Sequence, residues 1–461
     1  MGTISAELLG SGSFRQTYAT RYAYYAGAMA NGIASAEMVV NLGLAGYMGS
    51  FGSGGLSLGH VEQAIAEIQR GLGNGPYLIN LLHSPDDERR EEAMVAMFLR
   101  TNVRAIEASA FVDVTPALVW YRLAGLVEID GVVREATHII AKVSRREVAV
   151  KFMSPADPGI VESLLVRGLI TADQAEWARD VPVAEDITVE ADSGGHTDNG
   201  PLVSLLPMIV DLRDQAVSSY ARPTQIRVGA AGGIATGASA GAAYLMGADY
   251  VVTGSVNQSC VEAATSDYVK QVLARVDMAD VVMAPSADMF ESGARVQVIK
   301  AGTMYPMNAQ KLYDLYTRYG GLDDIPVGEL AAIEKRLFHC DCDTVWGYVK
   351  DYFSQADPGR LARAETNPKL KMALVFRWYL GNSSRWAVTG DMERRMDMQI
   401  WCGKSMGAFN QWVRGTALES LPNRTVVAVA DAIMGEAASI TTRYMDRLEG
   451  FMGGNDNGHR Y

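Results

Sequence analysis

One pattern recurs along the N-terminal two-thirds of the chain. A short apolar, β-branched run is followed by Gly or small residues, then by a helical stretch, eight times over. The runs are Tyr22–Gly27, Leu44–Gly49, Tyr77–Leu82, Arg104–Ser109, His138–Val143, Asp186–Ala191, Ile226–Ala231 and Tyr250–Gly254. Between them, Val61, Ile65 and Ile68 share one face of Gly59–Arg70, and Ala93, Val95 and Met97 sit in an acid-led helix beyond Pro85. Near-continuous apolar strands alternating with helices demand a parallel sheet covered on both faces. Eight units over about 250 residues match a closed (β/α)8 TIM barrel. An open doubly wound sheet is the rival arrangement.

The rhythm breaks over Arg145–Arg179, which predicts helices inserted after the fifth strand. From about Ala284 the chain turns to helices rich in Tyr, Trp and Arg. The expected division is a barrel over 1–284, with a helical insertion near 145–180, and a mainly helical substrate or lid region over 285–461. Gly453–Tyr461 reads as a disordered polar tail.

A formal charge of −12 and no basic stripe argue against nucleic acid as a partner. Four irregularly spaced cysteines make no disulfide framework, the first residues lack an apolar signal core, and no apolar run is long enough to span a membrane. A soluble cytoplasmic protein is expected.

Chemistry in a barrel gathers at the C-terminal strand ends. After the seventh run comes Gly229-Ala230-Ala231-Gly232-Gly233-Ile234, then a small-residue helix over Ala238–Met246; after the eighth comes Thr253-Gly254-Ser255. Glycine lets backbone approach an anion, and these two loops are where this fold usually grips phosphate. Tight turns alone are the plainer explanation. After the sixth run stands Glu190-Ala191-Asp192-Ser193-Gly194-Gly195-His196. A histidine there suits proton transfer or carbonyl polarisation, or simply holds the loop. Lys142 and Asn80 are candidates to face a cofactor's polar edge, with pairing of Lys142 to Glu107 or Glu190 as the alternative.

Other features argue for packing. His339-Cys340-Asp341-Cys342 lacks a second ligand pair, so no metal site is expected. Most of the 22 methionines are core filler, an acyl tunnel lining being the other reading. Met372, Val375, Phe376 and Tyr379 share a helix face, first of all a packing stripe, with a ligand wall as the second reading.

The strings EADSGGHTDNGPLVSLLP, VGAAGGIATG, VVTGSVNQSCVEAATSD, APSADMFESG, MALVFRWYLGNSSRWA and QIWCGKSMGAFNQWV closely resemble the PfaD family. These are trans-acting enoyl reductases of polyunsaturated fatty acid synthases and trans-acyltransferase polyketide synthases, within the nitronate monooxygenase-like FMN barrels. The resemblance runs from the GAMANGIAS segment to about Trp412. It implies bound FMN, NADPH or NADH as co-substrate, and an enoyl thioester on an acyl carrier protein. It implies flavin contacts at Gly27, Ala28 and Met29, at Asn80 and Lys142, at Ser193, Gly194 and Gly195, at Ala231, Gly232 and Gly233, and at Thr253, Gly254 and Ser255. His196 falls on the active-site histidine, with Lys142 beside it as the second catalytic candidate. The chain reads Thr236-Gly237-Ala238 and Cys402-Gly403-Lys404 where the family tends to carry a proline.

Synthase components are the implied partners, the oligomeric state is open with a homodimer included, and Lys369, Lys371, Arg377 and Arg385 are either a carrier dock or simply a solvated helix face. The alternatives are a nitronate-oxidising FMN barrel, a flavin-free aldolase or isomerase using Lys142, and a non-catalytic synthase scaffold.

Overall fold

The computed structural model describes residues 4–84, 87–195, 198–221 and 223–453. They fall into two compact units. The first holds the described residues of Met1–Ser193, Thr197–Ala264 and Ala408–Tyr461; the second holds those of Gly194–His196 and Thr265–Gly407. The sequence reading divides the chain at 284, whereas contacts divide it near Ala264 and Gly407. The tail beyond 453 lies outside the described residues.

The first unit is a closed parallel barrel. Its strands are β1 (Tyr24–Ala26), β2 (Met48–Phe51), β3 (Leu78–Leu82), β4 (Ala105–Ser109), β5 (His138–Val143), β6 (Asp186–Glu190), β7 (Arg227–Ala231) and β8 (Tyr250–Thr253). Each pairs with its neighbour in sequence, and β8 closes on β1 with Tyr24 opposite Val251. Strands such as β3 and β7 are buried almost throughout, as apolar runs between two covered faces require.

An N-terminal helix, Gly12–Tyr18, closes the end where the strands begin. Phe14 stacks on Tyr250 with ring centroids 4.4 Å apart, and Tyr18 donates to Asp186 Oδ2 at 2.6 Å. Arg227 grips the same carboxylate with two bonds, at 2.7 and 2.6 Å. The opposite, C-terminal end is left to the loops.

The expected helical insertion forms as Arg146–Met153, Pro158–Val166 and Ala172–Trp177. Two expectations need correction. The second strand starts at Met48, later than the Leu44–Gly49 run, because the preceding helix extends to Leu44 and Gly46 (φ 83°) makes the turn. A hairpin also pairs Leu126–Ile129 with Val132–Glu135. Its turn is Asp130-Gly131, both at positive φ, the pair that a two-residue hairpin favours.

The long helix Val426–Gly453 belongs to the barrel unit and packs on the helix Gly237–Leu245. Glycine is needed at the crossing: a Cβ on Gly237 would stand 2.3 Å from Glu436 Cβ. No helix among the described residues is long and apolar enough to cross a membrane.

The second unit has an antiparallel hairpin, Val281–Pro285 with Arg295–Ile299, where the sequence reading expects only helices. Beside it stand Tyr305–Arg318, Cys342–Ala356, Pro358–Thr366 and Pro368–Thr389. Met372, Val375, Phe376 and Tyr379 are fully buried in this unit's core, so the stripe packs. Asp341 caps the helix at Cys342 by accepting the Thr344 N–H at 2.7 Å.

Candidate functional site

Ion pairing organises the C-terminal mouth of the barrel. Lys142, on β5, reaches Glu190 on β6 at 2.9 Å and Glu107 on β4 at 3.5 Å. The Glu107 side chain has no solvent exposure, and those of Lys142 and Glu190 have little. Burial opposes the lysine's charge, but the two carboxylates outweigh it and raise the lysine's pKa above its ordinary value. Lys142 is therefore a fixed cation at neutral pH. It is unsuited to attack a carbonyl as a free amine, which removes the ground for the aldolase alternative.

Glu107 also reaches the loop after β1, where its Oε2 accepts the Ala28 N–H at 2.9 Å. Its Oε1 is buried and, among the described residues, meets the Lys142 ammonium at 3.5 Å and makes no closer hydrogen bond. Asn80, on β3, donates to the Glu107 carbonyl oxygen and to Ser109 Oγ, both at 2.9 Å. Gly27 is held by its N–H on the Thr253 carbonyl, and Met29 gives its carbonyl to Ala34. Gly52, after β2, is a residue that the sequence reading missed. A Cβ there would lie 1.7 Å from the Met29 oxygen, so only glycine lets the two loops meet.

The two glycine loops differ in what they offer. Gly232 and Gly233 both take φ near 80°. A Cβ on Gly232 would strike the Ala191 backbone at 2.7 Å, so this glycine is needed by the fold. Around Gly233 and Gly254 an added Cβ meets nothing within 4 Å, which leaves open space against bare backbone. Thr253 is turned inward: its Oγ1 bonds Tyr24 at 2.6 Å and Asn257 at 2.9 Å, so it holds the loop. Ala231 gives its carbonyl to Ala191, and Ser255 opens the short helix Ser255–Gln258. The helix expected at Ala238 starts at Gly237, with Thr236 and Ser239 capping each other.

Ser193 Oγ donates to Glu190 at 3.2 Å. Gly194 and Gly195 group with the second unit, where a Cβ on Gly194 would stand 3.3 Å from the Gly403 nitrogen. His196 lies outside the described residues. Below the ion cluster a hydroxyl chain, Tyr25 to Thr188 to Tyr250, fills the barrel; nothing in the local sequence signals it, because three strands contribute.

The suggested carrier dock changes character in the structure. Lys369 bonds the Tyr316 carbonyl and lies 4.1 Å from the Tyr316 ring centroid. Lys371 stands over Trp346, and Arg377 pairs with Glu291 at 3.0 Å. These three cations are engaged within their own unit, and only Arg385 is exposed.

The closed parallel barrel agrees with the family comparisons. The nitronate monooxygenase family model matches residues 17–312, and that of the inserted helical domain of [acyl-carrier-protein] S-malonyltransferase matches 319–398. The chain belongs to the nitronate monooxygenase family.

Within that family it is a PfaD-like enoyl reductase homologue. The solved enoyl reductase domain of MlnA, from the macrolactin cluster of Bacillus amyloliquefaciens, is 41% identical, with a TM-score of 0.91 over 96% of this chain and 99% of that one. The polyketide biosynthesis protein PksE of Bacillus subtilis is 47% identical over 96% of this chain and 58% of its own length. One component of the polyunsaturated fatty acid synthase of Thraustochytrium is 47% identical over 89% of this chain and 28% of its own. The chain thus spans little more than half, or less, of these curated relatives.

Proposed function

We propose that this chain is an FMN-dependent, trans-acting enoyl reductase, acting on α,β-unsaturated acyl thioesters carried by an acyl carrier protein in polyketide or polyunsaturated fatty acid synthesis. The observation that carries the reading is likeness to a solved enoyl reductase domain over almost its full length. NADPH or NADH is the electron source, synthase components are the partners, and the cytoplasm is the compartment.

The residues fit the flavin. Gly233 and Gly254 leave open space for a phosphate beside bare backbone, and among the described residues Glu107 Oε1 makes no hydrogen bond closer than its 3.5 Å ion pair with Lys142. When bound, FMN supplies hydride transfer from the nicotinamide to the β-carbon of the enoyl group. Glu107, Lys142, Asn80 and the Gly27–Met29 backbone hold the ring's polar edge. Gly232, Gly233, Gly254 and Ser255 hold the phosphate. His196, in its Ser-Gly-Gly-His string, donates to the thioester oxygen where charge develops, or protonates the α-carbon. Lys142 contributes a fixed positive charge.

Oxidation of nitronates is the alternative on the same barrel, and it differs in its electron acceptor. Anaerobic NADPH consumption that depends on crotonyl-pantetheine supports the reductase. Turnover only with a nitronate and oxygen overturns it.

A further inference from the structure

We propose that the second unit docks an acidic carrier protein on the face where Tyr348, Trp378 and Trp386 meet the Arg394 guanidinium; this rests on the carrier-borne substrate in the reading above. The face is a row of touching rings. Tyr348, on the helix Cys342–Ala356, is 51% exposed and stacks on Trp378 with ring centroids 5.8 Å apart. Trp378 meets Trp386 edge-on at 6.3 Å, further along the helix Pro368–Thr389, and Arg394 lies 4.2 Å from the Trp386 ring centroid. The row is fixed from beneath, because Arg394 also pairs with Asp397 at 3.0 Å and donates to the Leu337 and Phe338 carbonyls. Tyr, Trp and Arg held rigid at a surface are the types that carry most interface energy.

The charge around the row selects the partner. Arg394 joins three segments, and each adds exposed cations: Lys335 and Arg336 before Leu337, Arg385 before Trp386, and Arg395 after Arg394 itself. None of these four is in an ion pair among the described residues. The acids of the same segments are mostly engaged. Glu334 accepts the Cys342 N–H, Asp391 accepts the Glu393 N–H and Asp397 holds Arg394, which leaves Glu393 as the exposed one. The outcome is a cationic rim on a chain whose formal charge is −12. Such a rim attracts an acidic surface and disfavours a basic one. A second copy docked on the same face would oppose like charges, since a two-fold interface sets a patch against itself.

The position of the face agrees. Every residue named falls within 319–398, the segment matched by the S-malonyltransferase helical domain. A transferase and a barrel reductase do different chemistry. A helical segment common to both points to what they handle alike, which on the reading above is the carrier.

The test compares crotonyl-pantetheine with the same group borne on a purified acidic acyl carrier protein, using the flavin-loaded chain. The unaltered protein is expected to reduce the carrier-borne group with the higher kcat/KM, and to lose that advantage as sodium chloride is raised. Arg385→Glu with Arg395→Glu is expected to cut the advantage about tenfold or more, through KM, the scale on which electrostatic steering acts. Tyr348→Ala is expected to cut it about fivefold or more, the cost of truncating a residue that carries interface energy. No advantage for the carrier in the unaltered protein, or one that salt and both variants leave intact, overturns the proposal. The salt dependence stands even if a variant does not fold. A dimer of the unaltered protein that the charge reversal dissolves in sedimentation also overturns it, because the face then belongs to a second copy. Failure to reduce crotonyl-pantetheine overturns the enoyl reductase reading instead.

Discussion

The Glu107 carboxylate, on the fourth barrel strand, accepts the backbone N–H of Ala28 beyond the first at 2.9 Å. That bond spans the barrel mouth and ties the first loop to the acid–lysine cluster. A substitution in the cluster should therefore disturb cofactor binding and loop order together. Lys142→Met leaves Glu107 and Glu190 without their cation, and unpairing a buried charge costs about 3–5 kcal/mol. We expect Lys142→Met to lose flavin on gel filtration and to unfold at lower denaturant, and Lys142→Arg to recover part of both.

Gly254→Ala tests the phosphate loop. The protein places nothing within 4 Å of the added methyl, but the backbone there, φ −131° and ψ −81°, lies outside the regions open to alanine. Apoprotein stability should fall by about 1–3 kcal/mol, the cost of a sparsely populated backbone conformation. If phosphate lies against this backbone, FMN affinity falls tenfold or more in a fluorescence titration.

At the other end of the barrel, Arg227 and Asp186 form a bidentate pair under Phe14 and Tyr18. Arg227→Met leaves the buried carboxylate with the Tyr18 hydroxyl as its remaining side-chain hydrogen bond among the described residues. The expected loss is again about 3–5 kcal/mol in urea unfolding. Far from the mouth, it should leave the flavin spectrum of the folded fraction unchanged.

Acid stability should depend on Glu185. Burial raises this carboxyl's pKa, but Arg122 at 2.9 Å and His138 outweigh that and leave it lowered to about 2. A carboxylate with a depressed pKa stabilises the fold above its unfolded-state pKa, and the contribution is lost as pH falls through the folded value. The fold should therefore weaken from about pH 4.5 downward. Glu185→Gln should be less stable at neutral pH and show a shallower acid limb in a circular dichroism titration.

His196→Ala should keep FMN while turnover falls about a hundredfold or more, the usual cost of one donor at a developing oxyanion. Normal turnover in the flavin-loaded variant removes His196 from the mechanism.

The barrel is legible because each strand carries its own apolar run, as in Tyr250–Thr253, and needs no distant information. The turn Asp130-Gly131 is an equally local hairpin signal. Charged residues such as Glu128 and Arg134 break the apolar run around it and mask the strands. The hairpin at Val281–Ile299 hides for a related reason: its strands follow the last barrel unit outside the strand–helix rhythm. At the mouth, Asn80, Lys142 and the glycine loops stand out because their types are unusual at strand ends. Glu107 is visible in the sequence only as a pairing option for Lys142. Its reach to Ala28 depends on barrel closure and strand register, which periodicity does not carry. The Lys369–Arg385 stretch misleads for the opposite reason, since charge is visible in a sequence while an ion pair to Glu291 is not.

The most direct test of the central claim is the visible spectrum of the purified protein, followed anaerobically through NADPH and then a crotonyl thioester. The account predicts a flavin band that bleaches with NADPH and returns with the thioester. A bleached band that only oxygen restores, or no flavin band at all, would contradict it.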